Sequence, residues 1–256
     1  MIYEDYLNLA KEAAILAGEK IMNIYNASED IGFESKNDNS PLTIADKKSH
    51  TTIIDILSKT NINILSEESE KIDYEVRKNW DEYWLIDPLD GTKEFIKKNG
   101  EFTVNIALIK NKIPFIGVVF CPVNKILYWN DAKKNVYKKK LGAYEIKLNK
   151  RNPVNETEKN LRIVVSRSHL NEDTNDYINK LNTPQLISCG SSLKFLHIAD
   201  NKADIYPRFG PTMEWDTAAA HSILKSLDIM VINLEDKKEL SYNKKNLLNP
   251  YFLIKP

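Results

Sequence analysis

The sequence predicts a mixed α/β protein in which an α+β half, residues 1 to about 155, precedes an α/β half, about 156 to 256. Three observations carry this reading. Apolar residues at three- and four-residue spacing open the chain, short apolar runs joined by tight turns fill its middle, and strands alternate with helices from about residue 155.

Leu7, Ala10, Ala14, Ala17, Ile21 and Ile24 fall on one face of an amphipathic first helix. A polar loop over residues 34–40 ends at Pro41. Thr43 caps a second helix, with Asp46 three residues on in the outline of a capping box, and that helix runs to about Lys59. Residues 62–65 read as a short strand stopping at Glu67-Glu68, and residues 84–86 as another stopping at Asp87-Pro88. The runs 103–110, 115–120 and 126–129, separated by Asn-Lys and Pro-Val-Asn turns, predict an antiparallel meander. Strands then follow at 162–165, 185–188, 204–206, 229–232 and 251–254, with helices at 172–181, 192–200 and 215–227. No repeat or low-complexity linker divides the chain, so residues 1–256 are expected to form one unit.

The composition excludes several classes of protein. Thirty-six basic residues balance thirty-six acidic ones, so no global field favours a nucleic acid polymer and any anion must be recognised locally. Cys121 and Cys189 lack both metal-site spacing and the density of a disulfide framework. The acidic start lacks the regions of a signal peptide, and no apolar stretch approaches the ~20 residues that span a bilayer. The expected compartment is a reducing cytoplasm. The run Lys138-Lys-Lys140 reads as a solvated strand end, with peripheral contact to the inner membrane as its alternative.

Two acidic clusters end apolar strands: Ser66-Glu-Glu-Ser69 and Asp87-Pro-Leu-Asp-Gly-Thr92. Proline fixes a turn that folds Asp87 and Asp90 toward one point and leaves the Leu89 carbonyl as a further oxygen donor. Hard divalent cations such as Mg²⁺ take such oxygen ligands and keep waters for substrate phosphate. Each cluster alone has a plain structural reading, Asp90 and Thr92 as caps and Asp216 as a helix-dipole partner. Their joint presence, with Asp216 opening an alanine-rich helix, favours a metal site.

These motifs, with the upstream Lys36-x-Asp-x-Ser-Pro-Leu-Thr-x-Ala-Asp46 and Trp215-Asp216, resemble the inositol monophosphatase superfamily over nearly the whole chain. The resemblance implies a layered αβαβα sandwich and hydrolysis of a small phosphomonoester with two or three Mg²⁺ ions, and it is compatible with a homodimer. It implies Glu67, Asp87 and the Leu89 carbonyl at a first metal, Asp87, Asp90 and Asp216 at a second, and a third ion leaning on Glu67 and waters. Asp46 and Thr92 resemble the pair that deprotonates the attacking water. The segments 165–169, 189–195 and 207–216 are similar to the bisphosphate nucleotidase branch, which implies removal of the 3′-phosphate of 3′-phosphoadenosine 5′-phosphate. In that branch Ser166, His169, Gly190 and Lys194 match positions that hold the nucleotide. The alternatives are an inositol or other sugar-phosphate phosphatase on the same scaffold, and a silent binding protein that keeps the fold.

Overall fold

A computed structural model describes residues 3–27, 33–35, 41–167 and 171–256. Its elements run α1 (Tyr3–Tyr25), β1 (Phe33–Ser35), β2 (Pro41–Thr43), α2 (Ile44–Leu57), β3 (Asn63–Ser66), α3 (Tyr74–Arg77), β4 (Glu82–Asp90) and α4 (Thr92–Ile96). Then come β5 (Thr103–Lys110), β6 (Ile113–Cys121), β7 (Ile126–Asn130), β8 (Val136–Lys140) and β9 (Glu145–Leu148). The second half holds β10 (Arg162–Ser166), α5 (Glu172–Ile178), β11 (Gln185–Cys189), α6 (Leu193–Ala199), β12 (Tyr206–Arg208), α7 (Glu214–Ser226), β13 (Val231–Asn233) and β14 (Phe252–Ile254).

Strands β3 to β9 form a seven-stranded sheet in sequence order, parallel between β3 and β4 and antiparallel elsewhere. Its central strands are apolar at successive positions because both faces are buried. In β4, Trp84 and Ile86 pack with the buried alanines of α1 and with Ile53 and Leu57 of α2. Tyr83 and Leu85 pack on the other face with Phe195, Leu196, Ala219 and Ile223 from α6 and α7. Beyond those helices lie the parallel pair β10–β11 and the antiparallel trio β12-β14-β13, joined by one bridge between Ile163 and Ile205. In β10 the alternation divides Val164, facing α6 and α7, from Ile163 and Val165, which pack with Ile178 of α5. The layers are therefore α1/α2, sheet, α6/α7, sheet, α5, the αβαβα sandwich that the resemblance implies.

Helix α7 lies directly on β6. A Cβ at Gly117 would stand 2.1 Å from the Ala219 carbonyl oxygen, so the close approach needs a residue without a side chain. The capping box at α2 is present: Thr43 Oγ1 accepts from the Asp46 amide at 3.3 Å, and Asp46 Oδ2 accepts from the Thr43 amide at 2.8 Å. Among the described residues no helix is long and apolar enough to cross a membrane.

Several element ends differ from expectation by a few residues, β1 occupies part of the expected polar loop, and β2 and α3 were not expected; three differences are informative. The fourth strand continues through Pro88 to Asp90, where Asp90 pairs with Thr103 after a register shift. A bulge of this kind absorbs a proline that has no N–H for the ladder. The expected strand 204–206 begins instead at Tyr206 because Asp204 accepts from Arg162 and Arg151. The meander also extends beyond its expected end: the lysine run read as a strand end closes β8, and β9, largely exposed, went unpredicted because it carries little apolar signal.

Candidate active site

A cavity of about 250 Å³ opens where β3 and β4 end, where α7 begins and where β11 turns into α6. Glu67, Asp87, Leu89, Asp90, Thr92 and Asp216 line it, as do Ser166, Gly190 and Lys194. Asp46 is buried behind Thr92 and does not line the cavity. His169 and Lys36 fall outside the described residues.

Local backbone chemistry orients each aspartate. The Leu89 amide donates to Asp87 Oδ1 at 3.0 Å, closing the turn around Pro88. Gly91 follows at φ 97°, a left-handed conformation, and a Cβ there would lie 2.9 Å from the Glu101 carbonyl. Asp90 Oδ2 accepts from Ser191 Oγ at 2.8 Å, the Ser192 amide at 2.5 Å and Asn105 Nδ2 at 3.4 Å. Ser191 meets this role at φ 55°, an unfavourable backbone region held by its surroundings, including a 2.8 Å contact with the Thr103 hydroxyl. Asp216 sits in the first turn of α7, where its Oδ2 accepts from the Met213 amide at 2.9 Å. The dipole-partner geometry expected of Asp216 alone thus coexists with its place in the cavity wall.

Electrostatics set these carboxylates apart from surface acids. Burial, then repulsion from Glu67, Asp90 and Asp216, holds the Asp87 carboxyl well above the usual carboxylate range. Burial and the charges of Asp90 and Glu67 do the same to Asp216. Asp90 is raised by burial, against the opposing pull of Lys194 and its Ser191 and Ser192 donors. Among the described residues, no group of three or more His, Cys, Asp or Glu side chains is placed to hold a metal ion. The oxygen-only donor set nevertheless fits Mg²⁺, because a hard divalent cation offsets the mutual repulsion that raises Asp87 and Asp216.

Thr92 stands between two acceptors, with its hydroxyl 3.2 Å from Asp46 Oδ1 and 3.3 Å from the Leu89 carbonyl. Buried Lys194, which also lines the cavity, donates to the Ser191 carbonyl at 2.5 Å. Burial lowers its pKa, and Asp90 is the largest opposing influence. The Gly190 amide is already engaged, donating to Glu101 Oε2 at 2.8 Å. Glu101 also accepts from Arg167 Nε and Nη2 at 2.7 and 2.6 Å, a forked pair that ties the end of β10 to the first half.

Arg208 escaped the sequence reading. It lines the cavity, is 8% exposed, and its Nε is buried without a hydrogen-bond partner among the described residues. A charged residue in the otherwise buried strand β12 was the available signal, since arginine is rarely buried without a task. Ser191, Ser192 and Asn105 were missed because their bonds to Asp90 join positions far apart in sequence.

Comparison with known proteins agrees with the architecture. The model of the Inositol monophosphatase family matches residues 2–251. The 3′(2′),5′-bisphosphate nucleotidase CysQ of Salmonella typhimurium is 43% identical over 93% of this chain and 94% of its own length. The protein of that name from Haemophilus influenzae is 33% identical over 98% and 93%. The crystal structure of CysQ from Bacteroides thetaiotaomicron superposes with a TM-score of 0.85 at 44% identity, covering 99% of this chain and 97% of that one. The IMPase of Thermotoga maritima shares the fold at a TM-score of 0.71 and 22% identity, covering 98% and 92%. Sequence, layering and cavity agree, and the chain belongs to the inositol monophosphatase family.

Proposed function

We propose that this chain hydrolyses 3′-phosphoadenosine 5′-phosphate to AMP and phosphate in the cytoplasm, using two or three Mg²⁺ ions. The observation that carries the reading is that acidic and basic side chains line one cavity. Glu67, Asp87, Asp90 and Asp216 border it together with the buried cations Lys194 and Arg208. Such a site suits a molecule with two phosphates, one presented to the cation-loaded carboxylates and the other to fixed positive charge. Nucleotidases of this specificity are 43% identical over most of the chain, which supports the same reading.

Glu67, Asp87, the Leu89 carbonyl, Asp90 and Asp216 hold the metals in this reading. Bound there, Mg²⁺ neutralises the phosphoryl oxygens and the departing 3′-oxygen. Of the two acceptors of the Thr92 hydroxyl, Asp46 Oδ1 at 3.2 Å is the nearer and the one that can take up a proton. Thr92 then accepts a proton from the attacking water while passing its own to Asp46, and the water oxygen bonds to phosphorus as the P–O3′ bond breaks. The 3′-oxygen leaves with a proton from solvent. Ser166, Gly190, Lys194 and His169 are assigned to the nucleotide side.

Phosphate release from 3′-phosphoadenosine 5′-phosphate and inositol 1-phosphate, with Mg²⁺ or with chelator, tests this. The expected result is Mg²⁺-dependent release with the nucleotide strongly preferred. A preference for inositol 1-phosphate overturns the substrate, and release that survives chelation overturns the metal.

A further inference from the structure

Helix α2 presents three polar side chains at one-turn spacing, and each ends on a different segment of the candidate site. Asp46 accepts from Thr92 at 3.2 Å. Ser49, fully buried, donates its hydroxyl to the Pro88 carbonyl at 2.6 Å. Half-buried His50 places Nδ1 3.0 Å from the hydroxyl of Ser66, the residue before Glu67. Positions i, i+3 and i+4 are neighbours on a helical surface, so one face of α2 touches both acidic segments and the water-activating threonine.

The bulge in β4 makes the middle contact consequential. The register shift leaves Pro88 and Leu89 without partners across β5, so their carbonyls lack ladder bonds to define them. Ser49 satisfies the Pro88 carbonyl inside the core, where an unpaired oxygen would be costly. That anchor fixes the peptide preceding Leu89, whose carbonyl meets the long 3.3 Å approach of Thr92 and borders the cavity. The acidic segment after β3 is gripped from two sides. The Glu67 amide donates to the Ile86 carbonyl at 3.1 Å on the β4 side, and His50 meets Ser66 on the helix side.

We propose that Ser49 and His50 are positioning residues that set the Asp87–Asp90 turn and Glu67 for cation binding. Helix α2 thereby aligns the water-activating pair with both acidic segments through one rigid element. This inference rests on the reading of those carboxylates as Mg²⁺ ligands.

The test is calorimetric titration of metal-stripped protein with Mg²⁺, repeated with Mn²⁺ by electron paramagnetic resonance, alongside thermal melts of the stripped protein. His50→Ala and Ser49→Ala are each expected to weaken cation binding by roughly 10- to 100-fold, the usual effect of removing a partner behind a metal ligand. The metal-free melting temperature of His50→Ala is expected to stay near wild type. His50→Asn, whose amide can still meet Ser66, is expected to recover most of the affinity. Unchanged affinity in both alanine variants overturns the proposal. A loss in His50→Ala that tracks a lowered metal-free melting temperature, without rescue by asparagine, also overturns it and leaves a structural role. A wild-type protein that binds neither ion overturns the metal reading itself. Should Ser49→Ala fail to fold, the two His50 variants decide the matter.

Discussion

Asp46 divides its carboxylate between two tasks: Oδ2 caps its own helix by accepting from Thr43, and Oδ1 accepts the Thr92 hydroxyl at 3.2 Å. The cap fixes the side chain, so Thr92 meets an acceptor that is already oriented. Thr92→Ala is expected to lower kcat by roughly 10²–10⁴ with little change in KM, the span of general acid–base assistance. Thr92→Ser keeps the hydroxyl and is expected to retain most of the rate. An effect on KM alone, in steady-state assays at saturating Mg²⁺, would reduce Thr92 to a capping residue.

Self-repulsion among the cavity carboxylates gives metal removal a distinct signature. Asp87→Asn and Asp90→Asn are each expected to abolish turnover, and also to remove the rise in melting temperature that Mg²⁺ gives the wild type. Without metal, Asp87→Asn is expected to melt higher than wild type, because it relieves a buried charge held among like charges. Near-normal kcat in either variant, or a lower metal-free melting temperature for Asp87→Asn, contradicts the assignment.

Lys194 and Arg208 offer a charge-based test of substrate choice. Each alanine variant is expected to cut kcat/KM for 3′-phosphoadenosine 5′-phosphate by roughly 10-fold or more, matching a lost charged hydrogen bond of about 1.5–3 kcal/mol. Turnover of inositol 1-phosphate is expected to change far less. Equal losses on both substrates would assign the cations to the shared carboxylate site instead, a live outcome for Lys194 given its interaction with Asp90.

Away from the cavity, Asp204 anchors the second half. It accepts from Arg162 Nε at 2.9 Å and Arg151 Nη2 at 2.8 Å, and these bonds outweigh burial to hold its carboxyl far below the ordinary range. A depressed folded-state pKa adds stability that is complete above the unfolded value near 4 and is lost as pH falls through the folded one. Asp204→Ala is expected to cost roughly 3 kcal/mol at pH 7, the low end for breaking a buried pair, since Arg162 remains a third exposed. Denaturant melts should show the gap between variant and wild type shrinking below about pH 4. A gap that stays constant from pH 7 to pH 3 rules out this account.

What the sequence made legible was local. The capping box of Thr43 and Asp46, the turn around Pro88 and the acidic residues at strand ends each declare themselves within six residues. The spaced alanines of α1 declared a buried helix face for the same reason, whereas the layering came from the family resemblance. Arg208 beside the cavity, the clamp of Glu101 on Gly190 and Arg167, and the grip of Ser191 and Ser192 on Asp90 depend on segments that meet only after folding. Strand β9 was illegible for another reason: an exposed strand has no core face to impose alternation.

The placement of α6 and α7 over the seven-stranded sheet bears on how the chain is made. During synthesis the sheet is complete once Leu148 has emerged, but the helices that cover Tyr83, Leu85, Ala107 and Val119 come only after Leu193. The ribosome-bound intermediate therefore displays a wide apolar face, with Asp87 and Asp90 at its rim and Asp216 still unmade. A chain stopped within that interval is expected to aggregate, because the apolar face that α6 and α7 cover stays open.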